Sequence, residues 1–220
     1  MNWQNILYSL PGILIGLTVH EYCHAFAAYR LGDHTSREMG RLSFNPLKHI
    51  DIIGFLFIIF AGFGWAKPVQ FNPENLQHPR RDKAIIAAAG PLSNLILAFV
   101  FIGLVWGWLF LGGLFRENTG SIFYGLYSRI FLFTFMIFYY SAMINTGLFI
   151  FNLIPIPPLD GSHIVFSGLN LSLETERKIM KIGAPLLFII LIVQNRLHIT
   201  ILPIGKIINA FLGVFMPRLW

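Results

Sequence analysis

The sequence predicts an all-α polytopic membrane protein, and three observations carry that expectation. Hydrophobic residues fill 55% of the 220 positions and charged residues only 12%, about half the charged share of a soluble domain. The apolar residues fall in long runs, some of them reaching the roughly 20 residues that a helix needs to cross a bilayer. Most Lys and Arg lie in the polar stretches between those runs. The net charge of +6 therefore reads as orientation in a membrane, with no nucleic-acid partner.

Each element follows in order. The first apolar run covers residues 7–29. Ala25-Phe26-Ala27 has the look of a cleavage site, but no Lys or Arg precedes the run and the run itself contains His20, Glu21 and His24. Residues 1–29 are therefore expected to be mature structure and not a signal peptide. A polar stretch follows at 30–49. Residues 52–63 are apolar but too short to span as a helix, which predicts a re-entrant, interfacial or internally packed segment. The next polar stretch, 64–83, carries Pro68, Pro73 and Pro79, and a small β-hairpin is expected near residues 60–72. Residues 84–111 and 122–151 are each long enough to span. Pro155, Pro157 and Pro158 then break any helix. A polar loop with Glu174, Glu176, Arg177, Lys178 and Lys181 and two apolar runs, 182–194 and 199–217, complete the chain.

The expected architecture is one membrane-embedded domain, residues 1–220, with four to six membrane segments including the short re-entrant one. Arg30, Arg37, Arg41 and Lys48 lie in one polar stretch, Lys67, Arg80, Arg81 and Lys83 in the next, and Arg177, Lys178 and Lys181 in the third. If 52–63 does not cross, all three share a side. The positive-inside rule makes that side cytoplasmic and places the N-terminus outside.

The first run contains His20-Glu21-Tyr22-Cys23-His24, an HExxH pattern. On a helix, positions i and i+4 lie about 40° apart around the axis and about 6 Å along it, so both imidazoles can reach one metal ion. Glu21 is beside them, placed to take a proton from water at that ion. Zinc suits the task because it brings the pKa of bound water to about 7. Ionisable groups at membrane depth are costly and mark function more often than they glue helices together. A catalytic zinc site needs a third protein ligand. Asp160 is the strongest candidate, an acid deep in the largely apolar stretch 134–171, inside the proline-broken segment and followed by Gly161, which permits a tight turn. Taken alone, Asp160 would be an ordinary turn aspartate; the HExxH pattern changes that balance. His163 is the weaker competitor. The single cysteine, Cys23, excludes an intrachain disulfide framework and a Cys-rich zinc cluster.

HEYCH in an apolar run, followed far downstream by Asn152-Leu-Ile-Pro155-Ile-Pro-Pro-Leu159-Asp160-Gly161, resembles the site-2 protease family of intramembrane zinc metalloproteases. The second segment fits the family pattern Asn-x-x-Pro-x-x-x-x-Asp-Gly at every fixed position. The segments Gly40–Asp51, Gly64–Val69 and Gly90–Asn94 are similar to further motifs of the minimal bacterial branch, with Ile52 where proline is expected. No stretch is long or polar enough for the PDZ domain of many relatives. The resemblance implies one zinc ion per chain on His20, His24 and Asp160, with Glu21 as general base and Asn152 holding the substrate strand or stabilising the oxyanion. It implies a transmembrane or membrane-anchored protein substrate, a bacterial inner-membrane location and an active site open toward the cytoplasm.

Two other classes stand beside this one. A metal transporter also places His and Asp at membrane depth, but it has no need of a base adjacent to its ligands and wants further sites along a pathway. A non-catalytic scaffold could keep zinc for stability alone. Among the remaining residues, Cys23 reads as filler, Asn94 and Asn145 as interhelical hydrogen-bonders, and Gly90 as a helix-packing position. His34, His49, His78 and His198 read as surface or interfacial groups, and Trp106, Trp108 and Trp220 as membrane-boundary residues.

Overall fold

The computed structural model describes residues 3–61, 64–116, 121–169, 171–197 and 199–216. Its helices are α1 (Trp3–Arg30), α2 (Thr35–Glu38), α3 (Ile52–Ala61), α4 (Pro79–Arg116), α5 (Ser121–Asn152), α6 (Asp160–Gly168), α7 (Leu173–Leu197) and α8 (Ile204–Phe215). Among the described residues, three segments are long and apolar enough to cross a membrane: Trp3–Arg30, Pro79–Gly113 and Ser128–Asn152. The all-α expectation holds. Side chains such as Trp3, Ile96, Phe110 and Leu132 point outward and are half or more exposed, as expected where lipid is the solvent.

Helices α1, α4 and α5 pack against one another and form the centre of the molecule. Small residues bring α1 and α5 together. A Cβ at Gly12 would stand 2.6 Å from Ser141 Cα, and one at Gly16 would stand 2.8 Å from Asn145 Oδ1. Without a hydrophobic driving force between helices in lipid, such close backbone approach supplies the packing. A second apolar cluster joins Phe101, Ile102 and Val105 of α4 to Phe135 and Ala142 of α5 and Leu212 of α8.

Local chemistry sets the breaks. Pro79 opens α4, where its missing N–H costs nothing, and the Asp82 carboxylate accepts the His78 N–H at 2.9 Å. After Asn152 the prolines stop α5, and the chain restarts as α6 at Asp160. Gly161 lies inside the first turn of α6 and not in a separate tight turn; a Cβ there would collide with the Leu153 carbonyl.

Four further expectations need correction or limits. Among the described residues no strand forms near 60–72. The extended chain there makes a single antiparallel bridge between Ile50 and Ala66, and most of the other bonded backbone groups of segment 66–72 pair with side chains. Residues 174–181 are helical and belong to α7; their acids sit in its first turn, which suits the helix dipole. His49 is fully buried, with its Nε2 donating to the Ser43 carbonyl at 2.7 Å. His198 and Trp220 lie outside the described residues.

Candidate active site

Helix α1 carries His20, Glu21 and His24 on a buried face. His24 stands six residues before Arg30 at the end of the helix, about 9 Å along the axis. Both imidazoles turn toward the start of α6. His20 Nε2 lies 3.0 Å from His24 Nε2 and 3.2 Å from Asp160 Oδ2. His24 Nε2 lies 3.4 Å from Asp160 Oδ1. Donors about 2.0–2.1 Å from a tetrahedral zinc ion would be separated by about 3.3 Å. The two ring nitrogens and the Asp160 carboxylate, which faces each of them with a different oxygen, thus already stand close to the spacing such a site needs. His163 is not part of this group; it lines the cavity nearby, with its Nδ1 buried and, among the described residues, without a hydrogen-bond partner.

Neighbouring groups fix how the imidazoles are held. The Ile86 carbonyl can only accept, so His24 Nδ1, 2.7 Å away, donates to it. His20 Nδ1 lies 2.6 Å from Asn94 Oδ1. In both rings a hydrogen-bonded Nδ1–H leaves Nε2 with a lone pair for a metal. Gly90 completes the cradle. A Cβ at that position would run into His24 Nε2 and stand 2.6 Å from His20 Nε2. The donor set, its spacing, both ring orientations and the cleared space at Gly90 all fit a zinc ion.

Glu21 is buried, and its Oε2 accepts the Val69 N–H at 2.9 Å. Val69 belongs to an extended strap, residues 66–72, laid across the site. Arg41 donates from one nitrogen to the Lys67 and Pro68 carbonyls, both at 3.1 Å. Ser36 Oγ donates to the Gln70 carbonyl, the Lys67 N–H donates to the His49 carbonyl at 2.8 Å, and the Asn72 N–H donates to Asp33 Oδ2 at 3.0 Å. The loop 33–49 is therefore a frame for the strap, which explains why a polar segment far from the ligands carries a recognisable motif.

A cavity of about 420 Å³ opens among these groups, walled by the strap, Lys83, Phe151 and Asn152 as well as the three donors. Asn152 sits on this wall, with its Nδ2 donating to the Leu148 carbonyl at 3.0 Å. Lys83 is paired with Glu176 of α7 at 2.6 Å. Sequence reasoning did not anticipate the Val69 contact, which is made by backbone, nor the Lys83–Glu176 pair, whose partners are 93 positions apart. Gly90 was singled out, but as a packing residue. Its position beside two ring nitrogens depends on how α4 meets α1, which no local pattern reports.

The sequence model of peptidase family M50 matches residues 8–193. The chain belongs to peptidase family M50. This is the site-2 protease family that its motifs resemble. A Bacillus subtilis (strain 168) relative named "Putative zinc metalloprotease YwhC" is 37% identical over 158 residues, 72% of this chain and 67% of that protein. The "Putative zinc metalloprotease Rip2" of Mycolicibacterium smegmatis is 29% identical over 173 residues, 76% of this chain and 59% of that protein. The Rip2 of Mycobacterium tuberculosis H37Rv is 26% identical over 157 residues, 69% of this chain and 53% of that protein. The chain thus spans between about half and two thirds of the length of these M50 relatives. No solved structure matches it.

Proposed function

We propose that this M50 chain is an intramembrane zinc endopeptidase that hydrolyses peptide bonds of transmembrane or membrane-anchored proteins. The observation that carries this reading is the convergence of His20, His24 and Asp160 beside a buried Glu21 in a cavity. His20, His24 and Asp160 would hold one zinc ion, which when bound polarises the scissile carbonyl and makes water nucleophilic at neutral pH.

The chain's own residues supply the rest. The Val69 N–H fixes one oxygen of the Glu21 carboxylate, and the other takes a proton from the attacking water and returns it to the leaving amine. Asn152, on the cavity wall, steadies the substrate strand or the developing oxyanion. The substrate must enter unwound, because a hydrogen-bonded helix hides its carbonyls. The domain spans residues 1–220 and sits in the cell membrane as a multi-pass protein. Its N-terminus is outside, and its site lies toward the cytoplasmic end that carries the basic loops.

The test uses purified protein in detergent with a model membrane substrate, comparing wild type with Glu21→Gln. Zinc retained by both and cleavage by wild type alone is the expected result. Equal cleavage by the two overturns the assignment of the base.

A further inference from the structure

Behind the ligands, away from the cavity, lies a polar network that catalysis as described does not use. Asn94 of α4 and Asn145 of α5 are both fully buried. Asn145 Nδ2 donates to the Ser141 carbonyl at 2.9 Å and to the Gly12 carbonyl at 3.4 Å. Asn94 Nδ2 donates to the Gly16 carbonyl and to Asn145 Oδ1, both at 3.1 Å. Asn94 Oδ1 then faces His20 Nδ1 at 2.6 Å.

The direction of this chain is determined by its ends. Backbone carbonyls only accept, so Ser141 and Gly12 require the NH₂ of Asn145 on their side. That turns the Asn145 oxygen toward Asn94. The NH₂ of Asn94 then serves Asn145 and Gly16, and its oxygen meets His20. An oxygen there requires Nδ1–H on the ring and leaves Nε2 unprotonated. A flipped Asn94 would present NH₂ to His20, favour the Nε2–H tautomer and block the ligating nitrogen.

We propose that Asn145, which touches no metal ligand, is a positioning residue that sets the metal affinity of the site by holding the Asn94 amide in the one orientation that readies His20. This rests on the reading of His20 as a ligand. Partners one layer outside a metal ligand typically change affinity 10–100-fold. Asn145 is one layer further out, and Gly16 shares its task, so about a tenfold effect is expected from its loss.

The experiment measures zinc affinity of the full chain in detergent by competition with a fluorescent zinc chelator. Asn145→Leu, of similar size, should bind zinc about tenfold more weakly. Asn145→Asp, uncharged at this depth, keeps one acceptor and one donor and should bind within about twofold of wild type. If the Leu variant does not fold, Asn145→Ala reads the same quantity. In wild-type apoprotein, ¹⁵N-histidine spectra should show His20 protonated at Nδ1. A Leu or Ala variant with wild-type affinity, an Asp variant as weak as the Leu variant, or an Nε2–H His20 overturns the proposal. Wild-type zinc affinity in His20→Ala would instead overturn the ligand assignment beneath it.

Discussion

A methyl group at position 90 would occupy the space into which His20 and His24 present their Nε2 atoms. Gly90→Ala should therefore abolish stoichiometric zinc binding, read by metal analysis after gel filtration, while circular dichroism shows the helices intact. Asp33 acts at the same scale but outside the membrane-spanning helices. Burial alone would raise its carboxyl pKa, but hydrogen bonds from Thr35, Asn75 and Asn72 outweigh burial and hold it below the ordinary value. The stability this adds is fully present above the unfolded-state value of about 3.9 and is lost as pH falls through the depressed folded-state value. Asp33→Ala removes the shared acceptor of the part-buried bonds from residues 35, 72 and 75 and should cost about 1–2 kcal/mol at neutral pH. Its unfolding midpoint should also lose part of its acid dependence. A variant as stable as wild type at pH 7 would remove Asp33 from the frame.

At the scale of elements, the strap 66–72 is held mainly through its backbone, by Arg41, Ser36, His49, Asp33 and Glu21. Arg41→Ala removes two of those bonds at once. Amide exchange across residues 67–72 should then accelerate by an order of magnitude or more, about 1–2 kcal/mol of lost protection, while α1 keeps its protection. Val69→Pro is the sharper test of the Glu21 contact, since proline has no N–H to give. We expect peptidase activity to fall with zinc content unchanged; a fall in zinc content would place the strap's role in metal retention instead.

For the whole molecule, the proposed topology predicts which positions face the cytoplasm. Cys23 is the only cysteine, so Cys23→Ser gives a background for single-cysteine labelling. Cysteines at Arg37 and Gln77 should react with impermeant reagents only from the cytoplasmic side, and one at Trp3 only from outside; the opposite pattern would invert the chain. The helical segments were legible because length and apolarity alone select them, and His20, His24 and Asp160 because so few ionisable residues lie in apolar runs. The strap's frame was not legible, since it is built from backbone groups that any sequence shares. Nor was His49, whose burial depends on a loop folding over it. The shallow seat of the site, about 9 Å from the end of α1, has an outcome for the severed polypeptide if the proposed reaction and topology hold. At about 3.3 Å per extended residue, a cut at that depth would leave roughly three greasy residues on the cytoplasmic fragment. Such a stub would be too short to hold on to lipid, so one half of the product would swim away while the other stayed embedded.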